Sequence, residues 1–178
     1  MGQDSSKLTR TEARQLAAIL PFSEQEINRL YARFCQLDKD KSGTVSADEM
    51  TAIPELAMNP LAQRIVAVID PEGGTGINFK QFASALSVFC KDTKRDMKLN
   101  FAFQVYDVDG DGLLSADDLF VILKLMVGSS LPDEHIQQVV DRTILQADTI
   151  DKDGCISYEE FKRSMFHVDL DCILTIQF

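Results

Sequence analysis

Residues 107–118, DVDGDGLLSADD, carry oxygen-bearing side chains at a spacing that suits a hard divalent cation. Calcium takes six to eight oxygen ligands at about 2.3–2.6 Å, and alternating short carboxylates let a tightly curved backbone direct several oxygens to one point. Gly112, at the sixth position, can adopt the left-handed conformation that the sharp turn requires. The segment therefore predicts a calcium site with ligands at positions one, three, five, seven, nine and twelve, which are Asp107, Asp109, Asp111, Leu113 (through its carbonyl), Ser115 and Asp118.

The same pattern recurs along the chain, most clearly at residues 38–49, DKDKSGTVSADE. This spacing is the signature of the EF-hand, in which a calcium loop joins two helices. The ligand positions of this copy are Asp38, Asp40, Ser42, Thr44 (through its carbonyl), Ser46 and Glu49. Poorer copies lie at 70–81 and around 148–160, so four EF-hands in two pairs are predicted. Within each pair we expect backbone hydrogen bonds between the residues at position eight, which are Val45 with Ile77 and Leu114 with Ile156.

The second loop in chain order, DPEGGTGINFKQ at 70–81, lacks several features of a calcium loop. Its fifth position is Gly74, its sixth is Thr75 and its twelfth is Gln81. A neutral amide at position twelve cannot supply the charged bidentate ligand of a calcium loop. We expect this loop to bind calcium weakly or not at all.

The fourth loop allows two registers. Anchoring on Gly154 at position six gives the ligand set Thr149, Asp151, Asp153, Cys155 (through its carbonyl) and Glu160. Alternatively, Asp148 is the first ligand and the loop contains one additional residue. Both registers keep two aspartates and the final glutamate, so we expect calcium binding with altered geometry. Two to three calcium sites are therefore predicted for the whole chain, with the second loop empty.

The amphipathic segments around the loops predict an all-α fold of four EF-hands, in two paired lobes with short antiparallel β-bridges between the loops. Ser23 and Glu26 form a capping-box pattern before the first clear apolar stripe. The predicted domains are an N-terminal arm at 1–22, an EF-hand pair at 23–90, a charged link at 91–98, a second EF-hand pair at 99–166 and an apolar tail at 167–178.

Composition and motifs narrow the class of protein. The chain has 178 residues, a formal net charge of −10 and no long basic run, so nucleic acid is not expected as a partner. Its four cysteines show no CxxC spacing and are interpreted as reduced thiols of a cytoplasmic protein. No nucleophile–base pair, glycine-rich phosphate loop or zinc constellation stands out, so the chain is not expected to be an enzyme.

The first residues, MGQDSSK, match the N-myristoylation pattern M-G-x-x-x-[ST], with Gly2 at the modified position. A single acyl chain gives only marginal, reversible membrane attachment, and no polybasic second signal follows it. No apolar run reaches the roughly 20 residues that a membrane-spanning helix needs. The sequence therefore predicts a cytoplasmic protein with membrane contact through a myristoyl group.

Two segments are more apolar than the helices of an EF-hand require. Residues 119–127, LFVILKLMV, have one charged residue among nine, and the tail ends in CILTIQF. A helix that is apolar all round is either buried on all sides or shared between a core and a partner. In a chain this small, we favour the shared arrangement. The tail would then cover a groove or complete a partner site.

The chain also resembles a known family. The segments PELAMNPLAQRI, FAFQVYDVDGDG, KLMVGSSLPDEHIQQVVDRTILQAD and ISYEEF, together with the MG start, are similar to calcineurin B, the regulatory calcium-binding subunit of a calcium/calmodulin-dependent serine/threonine phosphatase. The segments FSEQEINRLYARF, DPEGGTGINF and TIQF resemble the calcineurin B homologous proteins, which bind a cytosolic helix of sodium/proton exchangers. The short link at 91–98 favours calcineurin B. The degenerate second loop, Asp118 at position twelve and the irregular fourth loop depart from the calcineurin B pattern.

The resemblance implies a hydrophobic groove that binds an apolar helix of the phosphatase catalytic subunit. In this sequence, the residues expected to contact that helix are Leu119, Leu123, Met126, Val127 and Phe166. The alternative partner is an exchanger helix, and a myristoylated calcium sensor is a further possibility. A simple calcium buffer would need neither LFVILKLMV nor the apolar tail.

We expect the chain produced in a eukaryotic host to carry a myristoyl group on Gly2, because the pattern presents this glycine after removal of Met1. Intact-mass spectrometry would show the added acyl mass, and the Gly2→Ala variant would lack it. An unmodified wild-type chain would contradict the prediction.

Overall fold

A computed structural model describes residues 8–50, 58–71, 76–88, 90 and 93–168. The chain divides into two compact units, and the division along the chain falls between Lys94 and Arg95. Helices predominate in both units, with short antiparallel strand pairs between the loops, which confirms the predicted fold class. None of the helices in these ranges is both long enough and apolar enough to cross a membrane.

The first unit contains helices α1 to α5 and the strands β1 and β2. Their bounds are α1 Arg10–Ile19, α2 Glu24–Leu37, β1 Thr44–Val45, α3 Ala47–Met50, α4 Ala62–Ile69, β2 Ile77–Asn78 and α5 Phe79–Val88. The predicted capping box starts α2, because the Ser23 hydroxyl accepts from the Glu26 amide and the Glu26 carboxylate accepts from the Ser23 amide. The inner face of α2 buries Ile27, Leu30 and Phe34.

The second unit contains helices α6 to α9 and the strands β3 and β4. Their bounds are α6 Arg95–Tyr106, β3 Leu113–Leu114, α7 Ala116–Val127, α8 Asp133–Ala147, β4 Ile156–Ser157 and α9 Tyr158–Ser164. Helix α6 therefore begins inside the segment 91–98, so part of the segment predicted as a link is helical. The residues that α6 buries include Lys98, Leu99 and Phe103. The wide buried arc of α6 explains why its apolar residues do not follow a single narrow stripe.

Each pair of loops is joined by an antiparallel bridge in the predicted register. Val45 lies opposite Ile77, and Leu114 lies opposite Ile156. All these side chains are 3% exposed or less, so the position-eight residues belong to the cores of their units. The bridge holds two loops side by side at one end of each helix set.

Gly76 lies against the neighbouring strand in the first unit. It has a φ of +73°, and a Cβ at this position would come within 2.8 Å of Thr44 Oγ1 and 3.2 Å of the Val45 carbonyl oxygen. The loops can approach this closely because residue 76 has no side chain. Gly43 in the adjacent loop also has a positive φ, of +83°, but a Cβ there would meet nothing within 4 Å.

We expect Gly76→Ala to destabilise the first unit more than Gly43→Ala, since both replacements oppose a left-handed backbone and only the first meets neighbouring atoms. The left-handed conformation alone costs about 1–2 kcal/mol per residue. Urea unfolding of both variants in chelator would measure the difference. Equal losses of stability would show that the close approach at Gly76 is relaxed without cost.

Candidate metal centres

The first loop brings three carboxylates together. Ligand oxygens of Asp38, Asp40 and Glu49 lie within 4.8 Å of one another. Asp38 Oδ2 accepts a hydrogen bond from the Gly43 amide at 2.9 Å, and Glu49 Oε1 accepts one from the Lys39 amide at 2.8 Å. The loop is thus folded around its acidic side chains by its own backbone amides.

The third loop repeats this arrangement in a more buried setting. Oxygens of Asp107, Asp109 and Asp118 lie within 4.8 Å of one another, and Asp107 and Asp118 are 8% and 4% exposed. Asp107 Oδ2 accepts from the Gly112 amide at 3.0 Å, and Asp118 Oδ1 accepts from the Val108 amide at 3.0 Å. The shorter Asp118 therefore makes the same contact as Glu49 in the first loop.

The remaining predicted ligands of these two loops lie on the same turns. Asp111 Oδ1 accepts from the Leu113 amide at 2.8 Å, and the Ser42 hydroxyl donates to the Thr44 carbonyl at 2.9 Å. The position-nine hydroxyls bind the last carboxylates, Ser46 with Glu49 and Ser115 with Asp118.

The fourth loop contains one more residue than the others. Asp148 Oδ2 accepts from the Gly154 amide at 2.8 Å, which is the contact that the first carboxylate makes in the other two loops. The Thr149 amide donates to Glu160 Oε1 at 2.9 Å, as the position-two amides of Lys39 and Val108 do to their last carboxylates. Thr149 therefore lies where Lys39 and Val108 lie in their loops, and this hydrogen-bond pattern favours the second of the two registers, which starts at Asp148.

The additional residue lies between Asp148 and Asp151. Lys152 has a φ of 57°, close to the 58° of Lys41 in the first loop, so the chain follows the ordinary loop path from Asp151 onward. The Ile150 amide provides a second donor to Glu160 Oε1 at 2.9 Å. The amide of the added segment is thus hydrogen-bonded to the last carboxylate. Oxygens of Asp148, Asp151 and Asp153 still lie within 4.8 Å of one another.

One carboxylate oxygen of the fourth loop, which has no hydrogen-bond donor, indicates that the loop can hold a cation. Asp148 Oδ1 is buried without a hydrogen-bond partner in the described part of the chain. A buried acceptor with no donor is unfavourable, and a calcium ion among the three aspartates would satisfy it. The donor set of hard oxygen atoms suits calcium, and the Cys155 amide, which donates to Asp153 Oδ1 at 2.8 Å, places the position-seven residue on the same turn.

Glu160 is held in its charged form. Its side chain is buried, and amide donors from Ile150 and Ser157, followed by the Ser157 hydroxyl and the Thr149 amide, lower its pKa to about 2. Hydrogen bonds to a carboxylate favour ionisation. Glu160 is therefore available as an anionic ligand at neutral pH.

The second loop is described only in part, because residues 72–75 lie outside the described ranges. Gln81 Oε1 accepts from the Asn78 amide at 2.9 Å, and Asn78 Oδ1 accepts from the Gln81 amide at 3.0 Å. The amide at position twelve thus caps α5, as the carboxylates cap the helices that follow the other loops. Weak or absent calcium binding remains a prediction for this loop.

The expected partner-binding residues differ in exposure. Leu119 is 7% exposed and faces the core beside Ile122, so it is not available to a partner in this conformation. Leu123 and Val127 are half-buried, while Met126 and Phe166 are 50% and 72% exposed. Gly2 and residues 169–178 lie outside the described ranges.

The structure adds two exposed apolar residues that the sequence analysis did not single out. Val121 and Leu125 are each 41% exposed on α7. Their spacing of four places them on one side of the helix. The residues that α7 buries are Asp118, Leu119 and Ile122. Had this buried face been located from the sequence, Val121 and Leu125 would have been recognised on the exposed side of the helix.

Comparison with known proteins agrees with this geometry. The EF-hand domain pair family matches residues 96–166, and the EF hand family matches residues 30–53. Calcineurin B of Naegleria gruberi is 48% identical over 99% of both chains, and that of Candida glabrata is 43% identical over 100% of this chain and 99% of its own. Calcineurin B type 1 of Dictyostelium discoideum is 46% identical over 90% of this chain and 89% of its own.

The paired loops, their carboxylate clusters and these matches define an EF-hand calcium-binding protein. Among such proteins, the chain belongs to the calcineurin B family.

We expect Asp148→Asn to weaken calcium binding by the fourth loop roughly tenfold or more, because it removes one ligand charge from the cluster. Thr149→Val should have little effect, since its amide, and not its hydroxyl, contacts Glu160. Calorimetric titration with calcium would compare the two variants. A large loss for Thr149→Val with none for Asp148→Asn would restore the register that begins at Thr149.

Proposed function

We propose that this chain is the calcium-binding regulatory subunit of a serine/threonine protein phosphatase and binds an apolar helix of the catalytic subunit. Its relatives are calcineurin B proteins, and this similarity supports the proposal. The observation that carries the proposed binding mode is the exposure of apolar side chains near the helix ends that lie away from the loops of the second unit.

The topology of the second unit separates the two ends of each helix. The β3–β4 bridge holds both loops at one end, so α6 and α8 enter the loops there and α7 and α9 leave from there. The other ends of these helices lie away from the loops. They carry exposed apolar side chains, one near each helix end, which are Met97 (50%), Met126 (50%), Leu131 (41%) and Phe166 (72%). We call this set the apolar end.

An amphipathic helix is a suitable occupant for the apolar end. Exposed apolar patches rimmed by polar residues favour protein binding, and helix-in-groove recognition uses a few apolar anchors spaced along one helix face. Methionine is flexible and polarisable, so Met97 and Met126 can adapt to the side chains of a partner. Leu123 and Val127, half-buried beside Met126, would form the floor of the site.

Calcium would act through the start of the exiting helices. Asp118 and Glu160 are the final ligands of their loops and also cap α7 and α9 through the Ser115 and Ser157 amides. A cation that draws these carboxylates inward would reorient the helices that carry the apolar end. Asp118, being shorter than glutamate, would chelate less readily and lower the calcium affinity of the third loop.

The phosphatase activity would belong to the catalytic subunit, and this chain would have no catalytic role. A myristoyl group on Gly2 would add weak membrane contact. A cytosolic helix of a sodium/proton exchanger could occupy the same surface, and the binding experiment below separates these partners.

We expect the double variant Leu123→Asp/Met126→Asp to weaken binding of a recombinant calcineurin catalytic subunit roughly 100-fold, because two charges would be buried against an apolar helix. Calcium titration should remain largely unchanged. Leu145→Asp is the matched control, since Leu145 is 81% exposed on α8 and is not a residue of the apolar end.

Surface plasmon resonance would measure these affinities in calcium and in chelator. Retained binding by the double variant would refute the assigned surface. Binding by the wild-type chain to an exchanger helix, with none to the catalytic subunit, would transfer the protein to the exchanger-binding class.

A further inference from the structure

Arg95, the first residue of α6, contacts the chain that follows α9. Its Nη2 atom donates to the carbonyl oxygens of Met165 at 2.5 Å, Val168 at 3.0 Å and Phe166 at 3.3 Å. These carbonyls belong to residues that follow the end of α9 at Ser164, where a cation is favoured by the helix dipole. One guanidinium thus anchors three backbone carbonyls at the end of α9.

Phe166 depends on such an anchor for its position. Its side chain is 72% exposed, so burial in the core contributes little to holding the ring. The local hydrogen bond from the Phe166 amide to the Arg163 carbonyl, at 3.1 Å, defines a turn but does not tie it to another helix. The hydrogen bonds from Arg95 connect this turn to helix α6, which lies about 70 residues earlier in the sequence.

A second contact between the same helices is weaker. Lys162 Nζ lies 2.9 Å from Asp96 Oδ1, with side chains 40% and 69% exposed. Exposed ion pairs of this kind stabilise little. This pair also joins α6 to the body of α9 and not to the residues beyond its end, so Lys162 offers a matched control for Arg95.

We propose that Arg95 is a positioning residue for partner binding, which holds the end of α9 so that the Phe166 ring is already in place on the apolar end before a partner arrives. This inference rests on the proposed function. Preorganised groups bind more tightly because less freedom is lost on association. Lysine should replace arginine only in part, because its ammonium group keeps the charge and the donors but lies one bond closer to the backbone than the Nη2 atom that makes all three contacts.

The first measurement needs no partner. The chain contains three tyrosines and no tryptophan, so Phe166→Trp introduces a single tryptophan at the position of interest, which can be excited selectively beyond the tyrosine absorption band. In this background Arg95→Ala should lower the steady-state anisotropy, Arg95→Lys should lower it less, and Lys162→Ala should leave it unchanged. Unchanged anisotropy in the Arg95→Ala chain would overturn the anchor.

The second measurement is a double-mutant cycle with the recombinant calcineurin catalytic subunit. Arg95→Ala should weaken binding about tenfold, mainly through faster dissociation. In a Phe166→Ala background the same change should weaken binding less than about twofold, because the ring that Arg95 positions is gone. Equal losses in both backgrounds would overturn the inference, since Arg95 would then act on some other contact.

The two proposals fail differently in this design. A wild-type chain that does not bind the catalytic subunit rejects the proposed function, and with it the partner role of Arg95. Binding that depends on Phe166 but not on Arg95 rejects the inference alone.

Discussion

The antiparallel bridge between neighbouring loops is the constraint on which the rest of each unit depends. Val45 with Ile77 and Leu114 with Ile156 place buried side chains where two loops meet, so the backbone pairing and the core are formed by the same residues. Each bridge brings together the loop ends of the helices in its unit. The opposite ends are left to be covered by other contacts, and in the second unit these ends are apolar and exposed.

The last carboxylates of the first, third and fourth loops have two structural duties. Glu49, Asp118 and Glu160 accept from the position-nine residue, which starts the exiting helix, and from an early loop amide, which closes the loop. A cation bound by the same oxygens therefore competes with, or adds to, contacts that set the helix direction. Under the proposed function, this shared use would let a bound cation act on the direction of the exiting helix. It also explains why an aspartate is tolerated at position twelve of the third loop, where it keeps both hydrogen bonds.

The second unit combines a well-tied pair of helices with an open apolar end. Phe103 packs edge-on against Tyr158 and Phe161, so α6 and α9 are joined near the loops by aromatic contacts. Arg95 joins them again at the far end. Side chains that remain exposed gain no stability from burial, so these contacts would hold the ends of α6 and α9 without their help. Such an arrangement would suit the proposed binding of a partner.

The sequence by itself predicted the loops and their pairing, because ligand spacing and the apolar residue at position eight are local patterns. Its resemblance to known proteins left calcineurin B and the calcineurin B homologous proteins both open, and the comparison with relatives showed the calcineurin B family. The capping box of Ser23 and Glu26 was also predicted from the sequence, since this motif spans only four residues. Only the tertiary structure distinguished the two registers of the fourth loop, because both starts satisfy the spacing and it is Asp148 that accepts from the Gly154 amide. The burial of Leu119, the exposure of Val121 and the contacts of Arg95 also required it, since the inner face of an all-apolar helix and a contact across 70 residues depend on packing that no local pattern records.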